Sequence, residues 1–259
     1  MSYMDCRLGE QLRSWRQRRR MSQLDLACEA DISTKHLSFI ETGRSAPSRE
    51  MVARLAASLD LPPRERNALL IAAGFAPDVA ERPFDHPSLA AARAAVERII
   101  DGHLPFPALA VDRHWNLLHA NAAVHTLIEG VAGALLVPQP NVLRLSLHPE
   151  GLAPRIANLA EWKAHLLARL GGQVRASGDP QLAALLEELK SYPAPASSGH
   201  HQLSEVASPL ILDSPAGPLS FLSTTTVFGT AVEVTLSEVT IESFFPADEA
   251  TSERLKSLR

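Results

Sequence analysis

The chain has 259 residues, of which 46% are hydrophobic and 21% are charged. This length and composition are typical of a globular protein with about two domains. No run of about 18 apolar residues is present, and the N-terminus lacks the apolar segment of a secretory signal. These features exclude a membrane protein and predict a cytoplasmic one. Two cysteines, Cys6 and Cys28, are too few for a disulfide framework.

The net charge of −4 conceals an uneven distribution. Residues 1–75 hold 12 Lys and Arg against 9 Asp and Glu, whereas the remainder holds 13 against 20. A basic block on an acidic body indicates that one end of the chain meets a polyanion, although a solvated basic helix face gives the same pattern. The basic residues bunch at Arg13, Arg16, Arg18, Arg19 and Arg20.

Local signals in the first 75 residues mark the starts and ends of five short helices. Ser22 and Ser33 are favourable N-caps, and Asp25 follows Ser22 at capping-box spacing. Gly43 suits the end of the third helix, and Pro62 suits the start of the fifth. Apolar residues recur at helical spacing at Leu8, Leu12, Trp15, Leu24, Leu26, Ala27, Leu37, Ile40, Met51, Val52, Leu55, Ala56 and Leu59.

Two short helices around a tight turn, behind an arginine-rich helix, are the parts of a helix-turn-helix. The segment SQLDLACEADISTKHLSFIETGRSAPS resembles the phage-repressor and Cro (XRE) family, with its pattern S-Q-x-x-L-A, a turn, S-x-x-x-h-S-x-h-E-x-G and a proline. The matching positions are Ser22, Gln23, Leu26, Ala27, Ser33, Leu37, Ser38, Ile40, Glu41, Gly43 and Pro47. The resemblance implies an all-α, five-helix, lambda-repressor-like DNA-binding domain over residues 1–75. Asp31 replaces a usual glycine, in a turn that often needs φ > 0.

The same resemblance implies which side chains contact DNA. Gln23 is expected at the phosphate backbone, Lys35 suits guanine, and Phe39 suits a thymine methyl. Phe39 has a second interpretation, a contact with the other domain or a dimer partner. Arg16 and Glu41 are expected to pair inside the domain. The expected DNA contacts are Gln23, Ser33, Thr34, Lys35, Ser38, Phe39 and Arg44.

Residues 76–103 predict a linker and a connecting helix, because residues 74–88 carry three prolines and few apolar side chains. The following segment, SLAAARAAVERIIDGH, has the spacing of a helix. Its expected apolar face is Leu89, Ala92, Val96 and Ile99.

Residues 104–247 predict an α+β domain with an antiparallel sheet. FPALAVDRHWNLLHANAAV indicates two strands and a helix that begins near Asn121. Helices are expected at about 155–170 and 180–190. Three strands then follow, in PLILD, GPLSFLSTTTVFG and AVEVTLSEVTIESFF, with a hairpin turn at Gly229-Thr230. Residues 248–259 are expected to form a C-terminal tail.

This order of elements resembles a PAS domain. The blocks VDRHWNLLHAN, NVLRLSLHPEGLAPRIANLAEW and LSFLSTTTVFGTAVEVTLSEVTIESFFPAD are more specifically similar to the MmyB-like ligand-binding domain, which occurs behind such a helix-turn-helix. The resemblance implies a PAS-like pocket, a small apolar (fatty-acid-like) ligand, and a homodimeric regulator that binds a palindromic operator in double-stranded DNA. It implies no other cofactor.

A pocket of this kind needs apolar walls and a few polar anchors. Arg144 is attractive because its fork binds both oxygens of a carboxylate, although it has an alternative as the partner of an acidic residue. Trp162 also suits the core, and His148-Pro149 also suits a plain loop. The expected pocket residues are Trp115, Trp162, Phe221 and Phe228 as walls and Asn121, Arg144 and His148 as anchors.

Catalytic motifs such as GxSxG, the P-loop, GxGxxG and HExxH are absent, so the sequence predicts neither an enzyme nor a metal protein. His200-His201 is expected to be a surface pair. Phage-type repressors can carry a self-cleaving Ser/Lys peptidase, and Ala132-Gly133 and Ala216-Gly217 are bonds of the kind it cuts. However, no lysine of the second domain lies in a strand-like segment that would suit the activation of a serine. A protein-interaction module of the antitoxin type is the main alternative to DNA control.

Overall fold

A computed structural model describes residues 3–195, 209–228 and 233–257. The chain divides into an N-terminal unit, Met1–Arg82 with Val232–Val234, and a C-terminal unit, Pro83–Ala231 with Thr235–Arg259. The predicted fold class is confirmed: the first part of the chain is helical, and the second combines helices with an antiparallel sheet.

Five helices form the described part of the N-terminal unit, as the capping signals predicted. Ser22 and Ser33 each accept a hydrogen bond from the amide three residues further on. The Asp25 carboxylate in turn accepts a hydrogen bond from the Ser22 amide at 2.7 Å. These serines therefore start the second and third helices. The elements are α1 (Tyr3–Arg18), α2 (Gln23–Glu29), α3 (Thr34–Glu41), α4 (Arg49–Ser58) and α5 (Pro63–Ala72).

Left-handed backbone in two turns sets where α3 begins and ends. Asp31, between α2 and α3, has φ = 51°, the positive angle expected where the related family has glycine. Gly43 follows α3 with φ = 69°. Aspartate enters this region more readily than most residues, so the turn keeps its shape without glycine.

The core of the N-terminal unit joins the apolar sides of all five helices. Leu12, Leu26 and Leu37 are at most 1% exposed. The helices α1 and α3 approach so closely that a Cβ on Gly9 would lie 2.4 Å from the carbonyl oxygen of Glu41. The position of α3 therefore depends on a residue without a side chain.

The first part of the expected linker is fastened to the N-terminal unit. Asn67 of α5 is buried; its Oδ1 accepts from the Asp78 amide at 2.8 Å, and its Nδ2 donates to the Val79 carbonyl at 2.7 Å. Arg49 donates to the Ala76 carbonyl at 2.6 Å. Although this segment has the composition of a linker, it is held against the N-terminal unit, because side chains of α4 and α5 form hydrogen bonds with its backbone groups.

The second part of the chain contains a five-stranded sheet in the order β2-β1-β5-β4-β3, in which every neighbouring pair is antiparallel. Its elements are α6 (Ala90–Asp101), β1 (Ala108–Val111), β2 (Leu117–Ala120), α7 (Ala122–Leu127), α8 (Val142–Leu147), α9 (Leu159–Ser177), α10 (Pro180–Ser191), β3 (Leu210–Leu212), β4 (Leu219–Val227), α11 (Val234–Ser237), β5 (Thr240–Pro246) and α12 (Glu249–Ser257).

Both faces of the sheet are covered, because successive side chains of a strand point to opposite faces. Leu109 and Val111 of β1 join a large core with residues of α8, α9 and α10. Ala108 and Ala110 join a smaller core with Val96 of α6. The cavity described below is lined by residues of the large core.

Three expectations for the C-terminal unit need correction. The apolar face of α6 uses Ile100, which is fully buried, whereas Ile99 is 50% exposed. The segment 231–245, expected to be one strand, contains α11 before β5. Residues expected to be a tail form α12, whose Leu255 is buried in the large core. The turn expected at Gly229-Thr230 and the pair His200-His201 lie outside the described residues.

Candidate functional site

The helix α3 exposes the side chains that the sequence assigned to DNA. Leu37 and Ile40 point into the core. Lys35 is exposed, and its Nζ lies 5.7 Å from the centre of the half-buried Phe39 ring, so a cation and an apolar surface sit one turn apart. The remaining predicted residues of this surface are exposed or half-buried: Ser33, Thr34, Ser38 and, just after the helix, Arg44.

A bidentate ion pair fixes the end of α3 to α1, as predicted. Arg16 Nε donates to Glu41 Oε1 at 2.6 Å, and Arg16 Nη2 donates to Oε2 at 3.0 Å. The two side chains are 10% and 2% exposed. The hydrogen bond to Glu41 raises the pKa of Arg16, so the guanidinium stays charged despite its burial. The pair therefore holds α3 in place.

Gln23 belongs to the same cluster. Its Nε2 donates to Glu41 Oε2 at 2.8 Å, which links the start of α2 to the end of α3. The contact of Gln23 with a DNA phosphate stays a prediction, and the structure adds a second role, because the side-chain amide also orients Glu41.

The basic block at the end of α1 divides into two parts. Arg16 and Arg19 serve the fold, since Arg19 donates to the carbonyls of Leu59 and Asp60 at 2.9 and 2.8 Å. The other arginines of the block are exposed, so cationic surface remains beside the helix-turn-helix. These exposed residues are Arg13, Arg18 and Arg20.

The C-terminal unit contains a partly open apolar cavity of about 100 Å³ between the sheet and the helices α7, α8 and α9. Three of the four expected wall residues line it: Trp115, Trp162 and Phe221. Leucine, isoleucine and valine side chains supply most of the rest. A cavity with such a lining suits apolar molecules.

Trp115 reaches this wall from a left-handed backbone conformation, with φ = 68°. The Asp112 carboxylate shapes the turn, since its Oδ1 accepts from the amides of His114 and Asn116 at 2.8 and 2.9 Å. The indole Nε1 donates to Gln173 of α9 at 2.8 Å. Both the turn and α9 therefore hold the indole in place.

One part of the pocket wall carries an ion pair that the sequence analysis missed. Arg169 Nη2 donates to Glu242 Oε1 at 2.5 Å, and Nη1 donates to Oε2 at 3.1 Å. The side chains are 23% and 6% exposed. Thr225 Oγ1 also donates to Oε1 at 3.1 Å, and the guanidinium lies 4.6 Å from the centre of the Trp115 ring. The pair is thus a fixed polar feature in an otherwise apolar wall.

His165 stands next to this pair on α9 and stacks on Trp162, with 5.5 Å between ring centres. Burial lowers the pKa of His165 and the positive charge of Arg169 lowers it further, while Glu242 opposes both effects. The imidazole is therefore neutral at pH 7, and it adds no charge to the pocket.

Asn121 is not a pocket anchor. It is 1% exposed and caps α7, with Oδ1 accepting from the Val124 amide at 3.3 Å. Its Nδ2 donates to the carbonyls of Ile100 and Phe106 at 3.1 and 2.9 Å. Backbone groups therefore occupy the amide that was assigned to a ligand.

Arg144 and His148 also lie outside the pocket lining. Arg144 forms a bidentate pair with Glu188 at 2.7 and 2.8 Å, which was its alternative interpretation, and this bond lowers the pKa of Glu188. His148 Nδ1 accepts from the Glu150 amide at 3.0 Å, and its ring packs edge-on against Tyr192. Both side chains stabilise the α8–α10 region instead.

Phe228 is on the wrong face of the sheet to line the cavity. It packs against the smaller core with α6, whereas Phe221 lies in the large core. Phe221 lies within β4, whereas Phe228 directly follows Val227, the last residue of that strand. The prediction that Phe228 is a wall residue is therefore wrong.

The missed polar residues of the lining had recognisable signals. Arg169 follows Trp162 and Leu166 at helical spacing, so it lies on the apolar stripe of α9. Glu242 lies in β5 two residues before Phe244, on the side of the strand that faces the large core. Ser146, the third polar lining residue, accepts from Trp162 Nε1 at 2.9 Å. One charged residue on the buried side of a helix and one of opposite charge on the buried side of a strand are the pattern of a buried ion pair.

The lysines described in the second half of the chain have roles unlike that of a peptidase base. Lys163 Nζ donates to the carbonyls of Lys190 and Tyr192, while Lys190 and Lys256 pair with Glu187 and Glu253. Over the described ranges, no three metal-ligating side chains gather. Within those same ranges, no helix has the length and apolarity to cross a bilayer.

The geometry defines a class: a helix-turn-helix protein whose second unit holds an apolar pocket. Residues 7–69 match a helix-turn-helix domain model, and residues 92–258, more than half of the chain, match the model of the MmyB-like transcription regulator ligand binding domain. The chain therefore belongs to the MmyB-like transcription regulators. It is a DNA-binding regulator with a ligand-binding domain.

Two solved structures are similar to part of the chain. The restriction-modification controller protein C.AhdI from Aeromonas hydrophila is 29% identical, covers 24% of this chain and 94% of its own, and has a TM-score of 0.23. The clp gene regulator ClgR from C. glutamicum is 28% identical, covers 29% of this chain and 92% of its own, and has a TM-score of 0.25. Among curated proteins, none matches the sequence.

Proposed function

We propose that the protein binds a palindromic operator as a homodimer and that a small apolar ligand in the C-terminal pocket changes its affinity for DNA. The exposed face of α3, braced by Arg16, Glu41 and Gln23, is the observation on which the DNA part depends. Lys35 and Phe39 offer a charged donor and an apolar contact at the spacing of one helical turn.

The homodimer follows from the small reach of one recognition helix. A single helix reads only a few base pairs, so two-fold operators place their half-sites about 34 Å apart for a pair of subunits. Lys and Arg contacts to phosphates release counterions, and affinity therefore falls steeply with salt. The homodimer and the steep salt dependence are both parts of this proposal.

The ligand part depends on the apolar cavity lined by Trp115, Trp162 and Phe221. Helices against one face of an antiparallel sheet, with an apolar cavity between them, support a PAS-like sensor. The proposed ligand is fatty-acid-like because it has a hydrocarbon part and one polar end. The ligand changes the affinity of the protein for DNA because it binds one conformation of the regulator more tightly than another.

Selection of bound DNA from a random pool by the full chain tests the DNA part. We expect an inverted repeat with half-sites about one helical turn apart and a steep loss of binding with salt. Failure to retain duplex DNA in dilute buffer, together with pulldown of one dominant protein, would instead identify an antitoxin-like interaction module.

A cavity-filling variant tests the ligand part. Val124 lines the pocket from α7, so Val124→Phe is expected to abolish any response of DNA binding to apolar molecules while DNA binding alone is retained. An unchanged response in this variant would place the ligand elsewhere.

A further inference from the structure

We infer that this pocket selects a short molecule whose polar group is uncharged, such as an alcohol or an amide, and disfavours an ionised carboxylate. The inference rests on the proposed function, that the pocket binds an apolar ligand. It narrows that ligand through the charges and hydrogen-bonding groups of the pocket wall.

The only cation among the described pocket-lining residues is already neutralised. Arg169 directs two N–H groups at the two oxygens of Glu242, at 2.5 and 3.1 Å. A ligand carboxylate beside Arg169 would face the Glu242 carboxylate as well. Like charges repel, so a ligand carboxylate that paired with Arg169 would have to displace Glu242, which is 6% exposed, and leave it buried without its partner.

Among the described residues beside this pair, His165 supplies no second positive charge. The lowered pKa of His165 keeps its imidazole neutral at pH 7. The Nε1 groups of Trp115 and Trp162 are occupied, since they donate to Gln173 and Ser146 at 2.8 and 2.9 Å. The pocket wall therefore has zero net charge and no indole donor to spare for an anion.

A neutral polar group fits the groups that remain. Because Ser146 Oγ accepts from Trp162, its own hydrogen is directed to another acceptor, and a hydroxyl or carbonyl oxygen of a ligand can take it. Arg169 and Glu242 offer further donor and acceptor positions without any change in their pairing. An alcohol or amide thus gains hydrogen bonds where a carboxylate gains repulsion.

The cavity volume sets the size of the probe. The cavity measures about 100 Å³, somewhat less than the roughly 150 Å³ of an engineered apolar cavity that holds benzene. Six-carbon molecules are therefore suitable probes. Hexanamide and hexanoate have nearly the same shape and differ in charge, and 1-hexanol supplies a second neutral head group.

The test is a titration of the full chain with each of the three probes at pH 7.5, followed by tryptophan fluorescence, since two of the three tryptophans, Trp115 and Trp162, lie in the pocket wall. We expect hexanamide and 1-hexanol to bind at least about tenfold more tightly than hexanoate, which corresponds to about 1.4 kcal/mol.

Glu242→Gln sharpens the test, because it keeps an oxygen that accepts from Arg169 and removes the negative charge. Hexanoate is expected to gain at least about tenfold relative to hexanamide in this variant, since Arg169 then lacks a countercharge. Glu188→Gln is the matched control: it changes another bidentate Arg–Glu pair of this unit, outside the pocket lining, and is expected to leave the ratio unchanged.

Hexanoate binding as tightly as hexanamide to the unmodified protein would overturn the inference and leave the proposed ligand function intact. Binding of none of the three probes would overturn both. If Glu242→Gln fails to fold, the comparison of hexanamide with hexanoate in the unmodified protein decides by itself.

Discussion

Two Arg–Glu pairs, one in each unit, share a bidentate geometry and differ in their surroundings. Arg16 and Glu41 join α1 to α3, and their remaining polar atoms contact Gln23 and the Met21 carbonyl. Arg169 and Glu242 join α9 to β5 and border a cavity. The first pair is enclosed by protein, whereas the second has open space on one side.

This difference separates two uses of the same ion pair. A pair enclosed by protein fixes the elements that carry it, here the recognition helix α3. A pair that borders a cavity also sets the electrostatics of whatever enters that cavity. The first pair therefore fixes the position of α3 in the N-terminal unit, whereas the second contributes to the charge of the pocket wall in the C-terminal unit.

The largest expected effect is on the enclosed pair. Glu41→Ala leaves the buried Arg16 guanidinium without its charged partner, so we expect the free energy of unfolding of the N-terminal unit to fall by about 3–5 kcal/mol. Urea denaturation of the full chain measures it. Glu187→Ala is the control, because that side chain is 72% exposed. A loss below about 1 kcal/mol would show that the pair is not structural.

The close approach of α1 and α3 gives the next effect. Gly9→Ala places a methyl group 2.4 Å from the Glu41 carbonyl oxygen, and overpacking of this kind destabilises by about 1–3 kcal/mol. DNA affinity is expected to fall too, because α3 must move. Gly133→Ala has nothing within 4 Å of the new methyl group and is expected to change neither quantity. Equal effects of the two variants would contradict the role of Gly9.

On the DNA itself, Lys35→Ala is expected to flatten the preference for one base pair by about 1–3 kcal/mol. Binding to a panel of operator variants measures this. Lys190→Ala, an exposed lysine of the second unit, is the control. Uniform weakening across all sequences would identify Lys35 as a phosphate contact rather than a base contact.

The smallest effect concerns Asp179, which caps α10 and pairs with Arg113 and His114. Burial acts to raise the pKa of Asp179, but the bonds from His114 and the Gln181 amide, with the charge of Arg113, lower it overall. A lowered pKa stabilises the folded state above the pKa of the unfolded chain, about 3.9, and this contribution is lost as the pH falls through the folded value.

Asp179→Asn keeps an N-cap and removes the charge. We expect it to lower the free energy of unfolding by about 1 kcal/mol or less at pH 7, and the gap from the unmodified protein to close as the pH falls below 4. Unfolding curves at pH 7 and pH 3 measure the gap. A gap that stays constant with pH would contradict an ionic role.

The helical unit could be predicted from the sequence because its signals are local. Ser22 and Ser33 cap helices within three residues, Asp31 fills a turn position with a known preference, and Arg16 and Glu41 came from the family pattern. Each of these features is decided by neighbours in the chain or by a fixed motif, so a single sequence contains it.

The pocket could be predicted only in part because its wall depends on long-range pairing. Arg169 and Glu242 lie 73 positions apart and meet through the packing of a helix on a strand. One error was avoidable from a local rule: Asn121 precedes a helix as an N-cap does. Arg144 required knowledge that α8 packs against α10.

The left-handed backbone of Trp115 has a consequence for recognition. A bulky residue in this region costs about 1–3 kcal/mol in conformational energy, and the hydrogen bonds of the Asp112 turn offset it. The indole consequently stands in position before a guest arrives, and binding orders no additional ring. Such preorganisation favours affinity. It also restricts the ligands of the proposed pocket to molecules whose shape fits the position that the indole already has.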